Sequence, residues 1–264
     1  MCLVSVVIPV YNADAYIKKT IESVQLQTIK DIEILVIDDC STDDSVNICL
    51  ELASTDLRIK VFKSALNFGC PGGPRNIGVA NSSGKWVAFL DADDIWHRQK
   101  LEVQLAVLKA SNLQFCSSLL KKFKVDSDYS TTNEVTSSDF KIVSYMSQMF
   151  NYQTPTSSVI LERSLAQSEP FREEIEFKAR EDIDCWLRIH RRIRCSAKVT
   201  VNLIGYRIVE NQISGNKLSM IGRTYYCYVH TTALKKSFLN LLPLLLTCTH
   251  LLRGFYKKLL SNSI

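Results

Sequence analysis

Short apolar runs alternate with amphipathic segments through the first half of the chain. Four runs rich in β-branched residues predict buried strands, at residues 3–10, 32–37, 59–62 and 87–90. Segments with helical spacing predict helices, at residues 15–27, 41–53, 75–81 and 97–110. Asp14 is expected to cap the first helix. Strands that alternate with helices are typical of a parallel sheet with right-handed crossovers, so we expect an α/β fold.

The second half alternates less regularly. Residues 113–125 predict one or two strands, residues 155–161 a strand that returns to the sheet, and residues 199–208 another strand. Helices are predicted over residues 181–194 and from 214 onward, and a loop over 126–138. We expect one domain over residues 1–210, with halves at 1–96 and 97–210, followed by a helical C-terminal extension over 211–264.

Three carboxylates follow the fourth apolar run within four residues, at Asp91, Asp93 and Asp94. Their repulsion is costly unless a cation lies among them, and Mg²⁺ or Mn²⁺ takes carboxylate and diphosphate oxygens. Open α/β sheets also bind ligands at the carboxyl ends of their strands. These residues alone leave an alternative open, in which Asp93 or Asp94 caps a helix beginning near Trp96.

The composition indicates a globular protein in a reducing compartment. Hydrophobic residues make up 46% of the chain and charged residues 22%, so disorder is not expected. Nine cysteines without a CxxC spacing predict neither a disulfide framework nor a zinc site. The first ten residues lack the charged start and cleavage site of a signal peptide, so we expect the chain to stay in the cytoplasm.

The net charge of +5 is concentrated near the C-terminal end. No acidic residue follows Glu210, whereas seven basic residues do. Residues 237–252 are 16 uncharged, leucine-rich residues between clusters of cations, fewer than the ~20 that a spanning helix needs. This composition is typical of an interfacial helix on an anionic membrane, and a core helix packed on the domain is the alternative.

Six motifs occur in order across residues 4–188. They are VSVVIPVYN at 4–12, IDDCSTD at 37–43, NFG at 67–69, RNIG at 75–78, FLDADDIW at 89–96 and EDIDCWLR at 181–188. Together they resemble the family 2 glycosyltransferases, which have the GT-A fold, a Rossmann-like and mostly parallel central sheet flanked by helices. Cys40 departs from the pattern, since glycine usually stands there. ISGNK at 213–217 resembles a narrower bacterial group that builds O-antigen repeat units on a lipid diphosphate.

The resemblance implies a nucleotide-sugar site. Asp39 would accept the uracil N3–H, and Tyr11 would lie along the uracil. Pro9, in the same motif as Tyr11, is also assigned to the nucleotide-sugar site. Arg75 would lie near the diphosphate or hold Asp91, which is itself assigned to the nucleotide sugar. The residues alone leave Asp39 open as a helix cap and Arg75 open as a surface arginine.

The resemblance also implies metal and catalytic groups. Asp93 would bind Mn²⁺ or Mg²⁺, and Asp91 would contact the ribose or, through water, the metal, which would neutralise the departing UDP. Asp182 would act as general base, and Glu181 would orient Asp182 or the acceptor. Spacing alone favours first-turn acids that stabilise a helix dipole.

Three further residues are assigned with less support. Lys217 and Trp186 are candidates for contacts with the acceptor or its diphosphate. His190 lies among basic residues of the predicted helix at 181–194, so we expect it on a solvated face and not in a metal site.

The resemblance as a whole implies an inverting hexosyltransferase peripheral to the cytoplasmic face of the inner membrane. The expected donor is UDP-galactose, with UDP-glucose as the close alternative. The expected acceptor is GlcNAc or GalNAc on undecaprenyl diphosphate, and the product a β-linkage, 1,3 favoured, in lipopolysaccharide O-antigen assembly.

Other function classes find less support in the chain. A dinucleotide-dependent dehydrogenase would need a GxGxxG turn after the first strand, where Pro9-Val10-Tyr11-Asn12 stands. A nucleic-acid-binding module would need aromatic residues on a sheet, whereas the tyrosines near the basic tail fall in a helical stretch. We therefore expect no nucleic-acid partner, and a nucleotide-binding module without transferase activity is the alternative from another class.

Overall fold

The computed structural model describes residues 2–135, 138–151, 154–209, 217–231, 243 and 245–249. Its strands within these ranges are β1 (Val4–Val10), β2 (Ile32–Asp38), β3 (Ile59–Lys63), β4 (Trp86–Phe89), β5 (Ile95–Trp96), β6 (Phe115–Phe123), β7 (Phe140–Ser144), β8 (Ile160–Glu162) and β9 (Cys195–Arg207). Its helices there are α1 (Ile17–Gln25), α2 (Ser45–Thr55), α3 (Gly72–Ala80), α4 (Lys100–Ser111), α5 (Tyr145–Phe150), α6 (Arg163–Ser168), α7 (Glu181–Ile193) and α8 (Lys217–Thr231).

The described strands form one sheet in the order β3-β2-β1-β4-β8-β6-β9-β5, and β7 pairs with β9. β1 pairs in parallel with β2 and β4, and β2 pairs in parallel with β3, which confirms the predicted α/β core. Val10 lies opposite Asp38, and Val7 lies opposite Phe89. The carboxyl ends of these strands therefore meet at one edge, where Asp39 and Asp91 follow them.

Both faces of the parallel half are buried, because alternate residues of each strand enter different cores. Val6 and Ile8 of β1 belong to a core that includes residues of α1, α2 and α4. Val7 belongs to a second core that includes residues of α3, α6 and α7. This two-sided burial explains why the strands are continuous apolar runs in the sequence.

The second half of the sheet is mixed. β8 pairs in antiparallel fashion with β4 and β6, and β9 pairs in parallel with β6 but antiparallel with β5 and β7. Residues 113–125 contain one strand, β6, and the predicted strand at 155–161 is reduced to β8, which follows a short 3₁₀ helix at Thr156–Ser158. β7 was not predicted, because only Val143 among its five residues is buried and the strand carries no clear apolar pattern.

Two predicted helix starts are wrong for a shared reason: side chains hold turns before the helices begin. Asp14 does not cap α1, whose N-cap residue is Tyr16 and makes no side-chain cap bond. The Asp14 amide instead donates to Asp43 Oδ2, at 3.0 Å. Asp43 Oδ1 accepts from the Ser45 amide at 3.1 Å, so α2 begins at Ser45 and not at residue 41.

Most of the predicted interfacial segment, residues 237–252, lies outside the described residues. Within it, Leu246 is fully buried in a cluster with Met149 of α5, Leu187 of α7 and Tyr228 of α8. At this residue the segment packs on the protein, as the core-helix alternative requires. Among the described residues, no helix combines the length and the apolar character needed to cross a membrane.

Gly78 tests the close packing of α3 on the sheet, and Gly222 of α8 serves as the control. A methyl group at Gly78 would collide with the side chains of Val7 and Ile37, so Gly78→Ala is expected to lower the free energy of unfolding by about 1–3 kcal/mol. Gly222→Ala in α8 meets nothing within 4 Å, so it should raise that free energy by up to about 1 kcal/mol. Urea unfolding of both variants checks this, and equal effects would contradict the packing described.

Candidate active site

A cavity of about 840 Å³ opens at the carboxyl edge of the parallel strands. The residues that line it include eight of the predicted site residues: Pro9, Tyr11, Asp39, Arg75, Asp91, Asp93, Glu181 and Asp182. Residues from both predicted halves of the domain therefore share one cavity.

Asp39 is held at the carboxyl edge of the sheet by the loop that follows β3. Its Oδ1 accepts from the Phe68 amide at 3.0 Å, and its backbone carbonyl accepts from Asn67 Nδ2 at 2.9 Å. Asp39 thus caps no helix, which removes that alternative. Burial raises its pKa, although the Phe68 and Gly69 amides lower it. Tyr11, 53% exposed, stands open at the same edge.

The backbone conformation at Cys40 explains why glycine usually stands at this position of the motif. Its φ is 62°, in the left-handed region that costs a residue with a side chain roughly 1–2 kcal/mol. The preceding Asp38 stabilises the turn, because its Oδ1 accepts from the Ser41 amide at 3.1 Å. Asp38 is thus used by the backbone of the turn, and Asp39 is the carboxylate of this motif that lines the cavity.

Arg75 of α3 joins two carboxylates in the interior. Its Nη2 donates to Asp91 Oδ1 at 2.6 Å, and its Nη1 donates to Glu181 Oε1 at 3.0 Å. Only 3% of its side chain is exposed, so it is not a surface arginine. Although burial opposes its charge, the two carboxylates raise its pKa. The prediction that Arg75 holds Asp91 is confirmed.

Glu181, the second carboxylate bonded to Arg75, is more deeply buried than Asp91. Burial raises its pKa to about 7, although the Arg75 guanidinium lowers it, and the neighbouring Asp182 adds to the rise. Its second carboxyl oxygen has no hydrogen-bond partner among the described residues. The raised pKa of Glu181 thus lies near neutral pH, and the group is next to the predicted base Asp182.

The three carboxylates after β4 have separate roles. Asp94 is buried, with Oδ2 accepting from Ser157 Oγ at 2.6 Å and Oδ1 accepting from the Arg207 amide at 3.0 Å. Burial raises its pKa well above the ordinary value, and Asp93 adds to the rise. Helix α4 begins at Lys100 without a side-chain cap bond, so the helix-cap alternative for Asp93 and Asp94 is wrong. Asp94 instead fixes the turn that carries Asp91 and Asp93.

Asp91 and Asp93 fit a divalent cation. Both line the cavity, and burial together with the nearby Asp91 raises the pKa of Asp93 to about 6. A cation would relieve this repulsion, and two carboxylates leave coordination positions for water and diphosphate oxygens. In the part of the chain that is described, no group of three or more His, Cys, Asp and Glu side chains could hold a metal ion by itself.

Asp182 stands at the cavity wall in the first turn of α7. Its Oδ1 accepts from the Ile183 amide at 2.8 Å, and its Oδ2 accepts from Thr156 Oγ1 at 3.4 Å. The carboxylate lines the same cavity as the metal candidates. This geometry suits a base that faces an acceptor, and the assignment stays a prediction.

Two sequence-based assignments are wrong, those of Trp186 and His190, and a third, that of Lys217, stays a prediction. Trp186 is fully buried, with its ring 5.4 Å from Phe115 and 5.3 Å from Phe171 by centroids, so it offers no surface to an acceptor. His190 is fully buried rather than solvated, and its ring nitrogens bond to the Trp186 carbonyl and Ser196 Oγ at 2.7 and 2.8 Å. Lys217 begins α8, and its side chain lies outside the described part.

The cavity also contains residues that the sequence analysis did not single out. Among them are Tyr16, Asn67, Thr156, Lys178, Arg180 and Tyr206. They lie in loops or at element ends with no periodic pattern. Asn67 carried a signal, because it belongs to the NFG motif at 67–69, although no role was assigned to it.

Comparison with known proteins decides the family. The family model for glycosyl transferase family 2 matches residues 5–172. The chain belongs to this family. It is 32% identical over 225 residues to the Escherichia coli UDP-Glc:α-D-GlcNAc-diphosphoundecaprenol β-1,3-glucosyltransferase WfgD, covering 84% of each chain. It is also 41% identical over 126 residues to an uncharacterized glycosyltransferase of Rickettsia felis, but there it spans 20% of that protein's length and 48% of its own.

Solved structures agree on the fold. The structure of residues 1–349 of Staphylococcus aureus TarS in complex with UDP has a TM-score of 0.66 at 22% identity, covering 90% of this chain and 67% of that one. The mannosyltransferase PcManGT of Pyrobaculum calidifontis, in complex with GDP-Man and Mn²⁺, has a TM-score of 0.61 at 16% identity, covering 98% and 79%. The chain has the GT-A fold, as predicted.

The buried position of Glu181 predicts a pH-dependent stability. Its pKa is higher in the folded chain, about 7, than the ordinary 4.5, so its contribution is present at low pH and lost as the pH rises through 7. The Glu181→Gln variant has no carboxyl group to ionise at this position. Between about pH 4.5 and 7 its free energy of unfolding should therefore decline less than that of the wild-type protein, by up to about 3 kcal/mol. Urea unfolding at pH 5 and pH 7.5 measures it.

The exposed Glu51 of α2 supplies the matched control, because Glu51→Gln removes a carboxyl outside the cavity. Asp93 titrates in the same direction as Glu181, so some decline remains in both variants. A Glu181→Gln protein with the full wild-type decline would show that Glu181 keeps its ordinary pKa in the fold.

Proposed function

We propose that the chain transfers glucose from UDP-glucose to GlcNAc-diphosphoundecaprenol and forms a β-1,3-linkage with inversion, in O-antigen assembly. The observation that carries this proposal is one cavity lined by the nucleotide edge at Asp39, the carboxylates Asp91 and Asp93, and the candidate base Asp182. The sequence analysis favoured galactose. The activity in the name of the E. coli relative favours the glucose alternative, and no side chain described here argues for either sugar.

Asp182 is the proton acceptor in this proposal. As the acceptor hydroxyl attacks the anomeric carbon of the donor, its oxygen–hydrogen bond breaks and the proton passes to the Asp182 carboxylate. The bond from the anomeric carbon to the UDP oxygen breaks with its electron pair on UDP, which inverts the configuration. Thr156 and the Ile183 amide hold the carboxylate in place for this step.

Asp91 and Asp93 would hold Mn²⁺ or Mg²⁺ together with the donor diphosphate. The cation supplies Lewis-acid stabilisation of the departing UDP. The Arg75 guanidinium keeps one oxygen of Asp91 engaged, which fixes that carboxylate at the cavity wall. The Mn²⁺ bound in the distant mannosyltransferase structure supports a divalent ion in this fold.

The proposed site of action is the cytoplasmic face of the inner membrane, where the chain would be peripheral. A polyprenyl-linked acceptor is confined to that surface, and the cluster of cations near the C-terminal end suits anionic lipid. A nucleotide-binding module without transferase activity is the second candidate, but it would give no role to Asp182 in the cavity wall.

The direct test is transfer from a panel of UDP-sugars to a synthetic GlcNAc-diphosphate-lipid, with the product linkage determined by NMR. UDP-glucose is expected to give a β-1,3-linked disaccharide. Selective use of UDP-galactose would restore the first expectation about the donor. UDP binding without any transfer would favour the binding module.

Two substitutions separate the base from the nucleotide contact. Asp182→Asn should lower the turnover at least about a hundredfold, the lower end of what a general base contributes, and leave UDP affinity almost unchanged. Asp39→Ala should weaken UDP binding directly. Calorimetry with UDP and initial-rate measurements on both variants check this, and an equal loss of UDP affinity would place Asp182 in the donor site or the scaffold.

Asp93→Asn provides a third pattern in the same experiment. The UDP affinity of the wild-type protein is expected to rise when Mn²⁺ is added, because Asp91 and Asp93 would hold the ion together with the diphosphate. In Asp93→Asn this gain should be lost, while metal-free UDP affinity stays near that of the wild type. A full Mn²⁺ response in the variant would remove Asp93 from the metal site.

A further inference from the structure

The cavity has an unequal distribution of charge. Among the described residues that line it, six are carboxylates: Asp39, Asp91, Asp93, Asp94, Glu181 and Asp182. The cations of the same lining are Arg75, Lys178 and Arg180. Arg75 is buried and already bonded to Asp91 and Glu181, so Lys178 and Arg180 are the described cations left to meet an anionic ligand.

Lys178 and Arg180 lie on a short loop that connects the 3₁₀ helix Ile175–Phe177 to α7. The loop is held in a fixed shape: Ala179 has a φ of 60°, and the Arg180 amide donates to the Phe177 carbonyl at 2.7 Å. Helix α8 supports it from behind, because Arg180 Nε donates to Thr224 Oγ1 at 2.7 Å. The loop backbone and the Arg180 side chain are therefore held in place by contacts within the protein.

Both side chains keep hydrogen-bonding capacity. Neither Lys178 nor Arg180 forms an ion pair with a described residue, and both are only partly buried. Arg180 uses Nε for Thr224 and Nη1 for the Ala179 carbonyl, which leaves further N–H groups of its five. An arginine beside a lysine is a set of donors suited to phosphate oxygens.

The loop also precedes the candidate base directly, since Asp182 is two residues after Arg180. In the proposed acceptor, the hydroxyl that faces Asp182 and the diphosphate on the anomeric carbon are attached to the same hexosamine ring. That places the acceptor's two phosphates on the Asp182 side of the cavity. The donor diphosphate is assigned to other carboxylates, Asp91 and Asp93, with their cation.

We propose that Lys178 and Arg180 bind the diphosphate of the acceptor and thereby select a lipid-diphosphate sugar over an uncharged one. This inference rests on the proposed function, because it takes the acceptor to be a sugar diphosphate. It assigns to the loop at 178–180 the contact that the sequence analysis gave to Lys217.

The test compares two acceptors that share the sugar but not the charge: a GlcNAc-α-diphosphate-alkyl lipid and the matching alkyl α-glycoside of GlcNAc. Lys178→Met and Arg180→Met should each raise KM for the diphosphate acceptor about ten- to a hundredfold, the effect of a lost charge-assisted hydrogen bond. The KM for the uncharged glycoside and the affinity for UDP should stay unchanged.

Two further variants control for structural damage. Arg191→Met removes a cation from the exposed side of α7, outside the cavity, and should leave both KM values unchanged. Arg180→Lys keeps the charge and should recover part of the diphosphate preference. The Lys178 side chain forms no hydrogen bond or ion pair with a described residue, so Lys178→Met should not disturb the loop. It therefore tests the inference even if Arg180→Met unfolds the loop.

Equal KM changes for the two acceptors, or a matching loss of UDP affinity, would overturn the inference and place the cations in the scaffold or the donor site. If the wild-type protein transfers to neither acceptor, the proposed function fails by itself. Calorimetric titration with the GlcNAc-diphosphate lipid then decides the inference: weaker binding in Lys178→Met than in Arg191→Met supports it, and equal binding refutes it.

Discussion

One buried guanidinium constrains the whole site. Arg75 leaves α3 and reaches Asp91 after β4 and Glu181 at the start of α7, so a single charge connects the carboxyl end of the parallel sheet to α7. Removing one partner of a buried ion pair leaves an uncompensated charge, which typically costs about 3–5 kcal/mol. Electrostatic attraction therefore adds to packing in holding these two elements together.

A second set of contacts divides the work among the carboxylates after β4. Asp94 is committed to Ser157 and the Arg207 backbone, and Arg207 Nε also donates to the Asp93 carbonyl at 2.9 Å. The turn is thus held from the 3₁₀ helix before β8 and from β9. Because these contacts use Asp94 and backbone groups, they leave the carboxylates of Asp91 and Asp93 at the cavity wall.

The cavity is built from two kinds of element. Strand ends supply Asp39 and Asp91, which follow β2 and β4 on either side of β1 at the same edge of the sheet. A helix start and a loop supply the rest: α7 carries Asp182, and the loop before it carries Lys178 and Arg180. Family 2 membership, the fold and one shared cavity are compatible with many acceptors, so the loop chemistry is the feature that would give this chain its own preference.

The sequence alone determined the parallel core and the motif residues, because buried strands are continuous apolar runs and the site residues follow them directly. It did not determine where the helices α1 and α2 begin, since distant side chains such as Asp43 hold their turns. It placed His190 in solvent, whereas α7 is buried between two cores and hides His190 and Trp186 from water. Only the tertiary structure decided which charges have partners, because Arg75 with Glu181 and Asp94 with Arg207 are pairs separated by more than a hundred residues.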